Sequence, residues 1–235
     1  MYGIYNKPFE LEKELFKLGV KREDNRLYYF REKEDDIIEK DLLTKKFDLH
    51  VSPVEPLNIP KEITDTLLIE LENPSLIGPK TTKKTYLTFP LEIGAFLICE
   101  SENEKLDLFS LSKPKYTLYG DITDGKICKY WSSKIYNSIP EVDYLKEGII
   151  KLKLKNVSNE WIALHNIVFD AYGMKLYYDD EMVGMEARMV IRDEGLSETY
   201  FKDKPIKEGM KKGVEVFTKA LQPLKGTKFI MEGGV

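Results

Sequence analysis

Residues 115–131 read Lys-Tyr-Thr-Leu-Tyr-Gly-Asp-Ile-Thr-Asp-Gly-Lys-Ile-Cys-Lys-Tyr-Trp (KYTLYGDITDGKICKYW). Two aromatic-rich runs, Lys115–Gly120 and Lys126–Trp131, flank Asp121-Ile122-Thr123-Asp124-Gly125. Tyr, Thr, Ile and Trp suit a half-buried pleated surface, and the closing Asp-Gly is a turn signal because Gly tolerates positive φ. The stretch predicts a β-hairpin. In its first strand Tyr116 and Leu118 share one face and Thr117 and Tyr119 the other, so one aromatic set faces away from the core.

The same period of two continues outward on both sides. Leu67–Glu72, Tyr86–Ile93 and Leu106–Leu111 precede the hairpin, and Ile149–Lys155, Trp161–Asp170, Lys175–Asp179 and Met182–Arg192 follow it. Alternation of apolar and charged residues marks strands with one solvated face, the antiparallel habit, and no strand–helix–strand rhythm appears. An internal echo, Ile69–Ser75 against Leu152–Ser158, places an alternating strand ending in Asn-x-Ser on each side of the hairpin. The expected fold is therefore all-β: two β-sandwich units, Ig-like or jelly-roll-like, over 63–140 and 141–205.

Residues 1–62 read as a mixed N-terminal segment. It carries strands at Tyr2–Tyr5 and Leu27–Arg31, a short helix at Leu11–Leu18 from the i, i+4, i+7 leucines, and a proline-punctuated connector over 52–60. Residues 206–235 read as a helix and tail. Ile206, Met210, Val214, Phe217 and Leu221 predict an amphipathic helix over Pro205–Leu221, stopped by Pro223. Phe229, Ile230 and Met231 in the tail predict docking, on the same chain or on a second copy.

Composition narrows the function classes. Lys+Arg of 36 against Asp+Glu of 40 leaves a net charge of −4, which argues against a nucleic-acid binder or a polybasic membrane-surface protein. The longest apolar run, Ile93–Cys99, is far below the roughly 20 residues of a membrane span, and the N-terminus lacks a signal-peptide pattern. A cytoplasmic location is expected. The single Gln, Gln222, beside abundant Lys and Glu is the compositional sign of a thermophile.

No nucleotide-binding, serine-hydrolase or zinc-protease motif occurs. Two histidines, His50 and His165, and two cysteines, Cys99 and Cys128, build neither a metal site nor a disulfide framework, and nothing in the spacing pairs Cys128 with His165. No metal or cofactor is expected, and the sequence assigns no catalytic residue. Asp179-Asp180-Glu181 and Asp121/Asp124 read as turn carboxylates. The aromatic cluster around the hairpin is the remaining candidate: a surface able to stack a sugar or to form a protein interface.

Lys115–Gly120, Gly125 and Ile127–Tyr130, with Met1–Tyr5 and Leu176–Tyr178, resemble the signature of an archaeal family of uncharacterised proteins. The resemblance runs nearly the full length and implies an archaeal cytoplasmic source but no activity, so it carries over no site residue. The expected function is a non-catalytic binding or assembly protein, self-associating through the hairpin or the C-terminal segment. The alternative is a small-molecule or carbohydrate site, for binding or for catalysis, in a cleft by the hairpin. Tyr119, Tyr130 and Trp131 would be its walls, Asp121 and Asp124 its polar contacts, and Lys115 or Lys129 its anion contact.

Overall fold

The computed structural model describes residues 1–24, 26–34, 36–44, 46–59, 63–100, 103–216 and 229–232. They are strands almost throughout, with a single 3-10 turn at Ala171–Gly173. The first ten strands are β1 (Gly3–Tyr5), β2 (Phe9–Lys13), β3 (Phe16–Glu23), β4 (Arg26–Lys33), β5 (Asp36–Leu42), β6 (Leu49–Val54), β7 (Thr66–Ile77), β8 (Thr82–Pro90), β9 (Glu92–Leu97) and β10 (Glu104–Phe109). Then follow β11 (Tyr116–Tyr119), β12 (Lys126–Ser133), β13 (Glu147–Asn156), β14 (Ile162–Asp170), β15 (Tyr177–Tyr178), β16 (Val183–Asp193), β17 (Leu196–Lys202), β18 (Lys211–Lys212) and β19 (Phe229–Glu232). Among the described residues no helix is long and apolar enough to cross a membrane.

The chain divides into two compact units: Met1–Ser52 with Ile93–Leu111, and Pro53–Glu92 with Ser112–Val235. These borders differ from the division expected at 62/63 and 140/141, because β9 and β10 join the N-terminal strands. In the first unit the sheet orders are β1-β6-β9-β10 and β2-β3-β4-β5. The two are joined through a buried polar knot. Asp107 on β10 accepts from the Tyr29 hydroxyl (2.9 Å) and from Arg31 Nε (2.6 Å), both on β4. The Arg31 guanidinium lies over the Phe109 ring, which Phe16 meets edge-on. The expected helix at Leu11–Leu18 is instead the hairpin β2–β3. Phe16, Leu18 and Val20 alternate inward and are buried, so period two wins over the leucine spacing.

In the second unit one sheet runs β11-β12-β7-β14. The other runs β18-β15-β16-β13-β8, with β17 beside β16 and β19 beside β17. Strand β7 lies parallel to β12 and antiparallel to β14, while β13 lies parallel to β16 and antiparallel to β8. Exchanging β7 with β13 and β8 with β14 reproduces this pattern. The sequence echo thus falls on the equivalent central strands β7 and β13. Neither half closes on itself: β7–β8 and β13–β14 are each an arch, a consecutive pair that lends one strand to either sheet.

The two sheets of this unit touch along both borders. Tyr86 on β8 exchanges backbone hydrogen bonds with Tyr136 (both 2.9 Å), and the Thr199 hydroxyl on β17 donates to the Val168 carbonyl on β14. Inward-facing Leu67, Ile69, Leu87, Phe89, Leu152, Leu154, Ile167 and Phe169 are buried. Each such side chain contributes about 1.5–3 kcal/mol. Asn156 ends β13 as its motif predicts: its Oδ1 accepts from the Ser158 N–H (2.8 Å). Asn73-Pro74-Ser75 does not turn but stays within β7, where a register shift opposite His165 absorbs the proline.

The C-terminal helix expected over 205–221 is overturned for the residues described. Residues 205–216 run as irregular chain with β18 at its centre, hydrogen-bonded to β15; residues 217–221 and Pro223 lie outside the described residues. Ile206 and Met210 are core anchors, packed with Ile149 and Met182, but their four-residue spacing is spanned by a bend at Gly209, whose φ of 88° a helix cannot hold. Gly184 makes room for the anchor: a Cβ there would lie 2.3 Å from Ile206 Cδ1. The tail docks on its own chain. β19 pairs with β17, Met231 is buried, and the Phe229 ring meets Tyr119 edge-on at 6.2 Å.

Candidate functional site

Strands β11 and β12 form the expected hairpin, in the register Tyr116↔Lys129, Thr117↔Cys128, Leu118↔Ile127 and Tyr119↔Lys126. Asp121 organises the turn. Its Oδ1 accepts from the N–H groups of Thr123 (2.7 Å) and Asp124 (3.2 Å), its carbonyl accepts from Gly125 N–H (2.8 Å), and Gly120 takes a φ of 95°. These backbone bonds hold the Asp121 carboxyl below the usual carboxylate range. Its Oδ1 is committed to the turn, and both Asp121 and Asp124 are exposed.

The register divides the expected site residues between two faces. Lys115, Tyr119 and Tyr130 lie on the face of Cys128, and Lys129 and Trp131 on the other. On the first face the Tyr130 hydroxyl donates to Glu70 (2.5 Å) and Lys126 pairs with Asp65 (2.7 Å). Burial pushes the Cys128 thiol up to about 11. His165 stands five positions along β14 from the row of Cys128, about 16 Å away at strand rise, so the two form no nucleophile–base pair.

The second face is the inner one, and it holds a group that the sequence reading missed. Lys129 Nζ lies 3.1 Å from Glu92 Oε1 and donates to the Ile59 carbonyl (3.1 Å). Glu92 is fully buried; it also accepts from the N–H groups of Asn58 (2.9 Å) and Ile59 (3.3 Å). Burial pushes its carboxyl above the usual carboxylate range, against the pull of Lys129 and Asn58. Trp131 Nε1 donates to the Thr88 hydroxyl (3.0 Å). A lone acid inside the apolar run Leu91–Leu97 was the available signal, since a buried charge demands a partner. Its partner, 37 residues away, was not legible.

Toward the turn this inner face overhangs the core. Tyr116, Leu118 and Ile127 point the same way as Lys129, yet they are 36%, 42% and 51% exposed, and Ile122 at the tip is 96% exposed. β11 ends its sheet. The Tyr130 N–H donates to the Lys115 carbonyl, which assigns Lys115, Thr117 and Tyr119 to the hydrogen-bonded pairs with β12. The backbone groups of Tyr116 and Leu118 therefore point away from β12.

The turn at Asp179 repeats the Asp121 chemistry, with Oδ1 accepting from Glu181 and Met182 N–H. Among the described residues no group of three or more His, Cys, Asp or Glu side chains is placed to hold a metal ion. A family model described as "Protein of unknown function (DUF432)" matches residues 1–232. No curated protein and no solved structure matches the chain.

Proposed function

The chain belongs to that family, whose description carries no activity, and from the chain's own surfaces we propose a non-catalytic assembly protein that pairs with a second copy of itself along β11. The observation that carries this is the overhang: a neutral four-residue end strand, free of proline, presenting Tyr116 and Leu118 with the cross-strand Ile127. Natural end strands are blunted by short length, an inward charge, a proline or a bulge, and of these β11 has only its four-residue length. Antiparallel pairing about Leu118 sets Tyr116 against Gly120 of the second copy. It also brings Lys115 opposite Asp121 of the second copy, so the two-fold contact is complementary in charge as well as in apolar surface. A reducing cytoplasm suits the free thiols Cys99 and Cys128, and an archaeal, heat-adapted source suits the Lys- and Glu-rich composition with its single Gln. The small-molecule alternative is not carried forward, because Tyr130 and Trp131 lie on opposite faces and cannot wall one cavity.

Native mass spectrometry and light scattering across a dilution series test the proposal. A dimer that dissociates on dilution is expected. Leu118→Pro removes an N–H that β12 does not use and should yield a folded monomer. A wild-type chain that stays monomeric at high concentration, or a Leu118→Pro variant as dimeric as the wild type, overturns it.

A further inference from the structure

The outer face of the sheet containing β13 and β16 carries a charge that the whole-chain balance hides. One cross-strand row runs Lys84 (β8), Lys153 (β13), Arg188 (β16) and Tyr200 (β17). The next row sets Lys155 beside Val190 and Glu198. Neighbouring positions in a row are about 4.8 Å apart. Other cations of this face are neutralised: Lys151 pairs with Glu186 (2.9 Å) and Arg192 with Glu198 (2.9 Å). Among the described residues Lys84, Lys153, Lys155 and Arg188 make no ion pair.

A cavity of about 270 Å³ opens here, lined by Lys155, Val157, Arg188, Val190, Tyr200 and the Arg192–Glu198 ion pair, so Lys155 and Arg188 are its unneutralised cations. Arg188 is half-buried, and its Nε has no hydrogen-bond partner among the described residues. With no counter-charge of its own on this face, the Arg188 guanidinium is left to be neutralised by a bound anion. Guanidinium and ammonium groups around one hollow match phosphoryl oxygens, which accept several charge-assisted hydrogen bonds at once. Val190 and Tyr200 supply an apolar and aromatic wall for the body of such a ligand.

We propose that this hollow binds a small organic phosphate, with Arg188 as the central anion contact and Lys155 at the rim. Calorimetric titration of the full chain with pyrophosphate is the test. Saturable binding of one pyrophosphate per chain is expected, weakening as salt is raised. Arg188→Gln should weaken it at least tenfold and Arg188→Lys less. The rim variant Lys155→Glu, which spares the half-buried position, should also weaken it, while Lys113→Glu outside the hollow should not. Absence of saturable binding, or equal weakening by Lys113→Glu, overturns the assignment. A single-stranded oligonucleotide binding far more tightly than pyrophosphate, with the same loss in Arg188→Gln, also overturns it, in favour of a nucleic-acid backbone. None of these readouts depends on self-association.

Discussion

At the scale of single residues, the second unit depends on pairs that hold charge out of water. Glu92 and Lys129 are each tolerable only because of the other. Lys129→Met leaves a buried carboxylate without a counter-charge, and a cost of about 3–5 kcal/mol at neutral pH is expected. The sign of its pH dependence follows from proton binding. With the ammonium gone, the native Glu92 carboxyl rises further above the ordinary value of 4.5, so the native state holds its proton longer than the unfolded chain. Stability of the variant relative to wild type should fall as pH rises from about 4.5 toward neutrality and recover at lower pH, as urea unfolding at several pH values will show. Cys128 is equally dependent on its surroundings. With its thiol pushed up to about 11 and fully buried, it should not react with a thiol reagent in the native protein, while the exposed Cys99 should. One thiol per chain titrating before denaturation and two after is the expected count; two before denaturation would contradict the burial of β12.

At the scale of elements, pattern and packing agree in the hairpin and conflict in the C-terminal segment. The hairpin was legible because its signals are local: alternation in two short strands and an Asp whose side chain closes the turn on its own backbone. The segment from 205 to 216 carried an equally clean helical spacing, and the spacing misled. Ile206 and Met210 are buried, as a helix would have them, but β18 finds its hydrogen bonds on β15 and the chain bends through Gly209. Apolar positions four apart report what must be buried, not the conformation between them. The seat of Ile206 yields a test. Gly184→Ala places a methyl group 2.3 Å from Ile206 Cδ1 and 2.4 Å from the Ile149 carbonyl. A loss of about 1–3 kcal/mol is expected in thermal or urea unfolding, and a neutral result would mean that the segment is not held against the sheet.

At the scale of the whole molecule, the linear order of strands concealed their partnership. The echo between Ile69–Ser75 and Leu152–Ser158 is a relation between β7 and β13, which lie in different sheets and each draw an antiparallel neighbour from the other arch. Two consecutive sandwiches would have kept each arch to itself. The same long-range pairing decides which faces of the hairpin meet the core, and so which aromatics stay exposed. It also gathers Lys84, Lys153 and Arg188, dispersed along a chain of net charge −4, into one row. Total charge bounds the average field of a protein, and strand register sets the local one. The all-β class, most of the strands, the hairpin turn and the solvated alternation were settled by sequence alone, because backbone sterics and side-chain parity act between near neighbours. The partners of β7 and β13, the Glu92–Lys129 pair, the extended path of residues 205–216 and the split of the hairpin's aromatics between two faces were decided only in three dimensions. There, hydrogen-bond satisfaction and burial are settled between residues tens of positions apart.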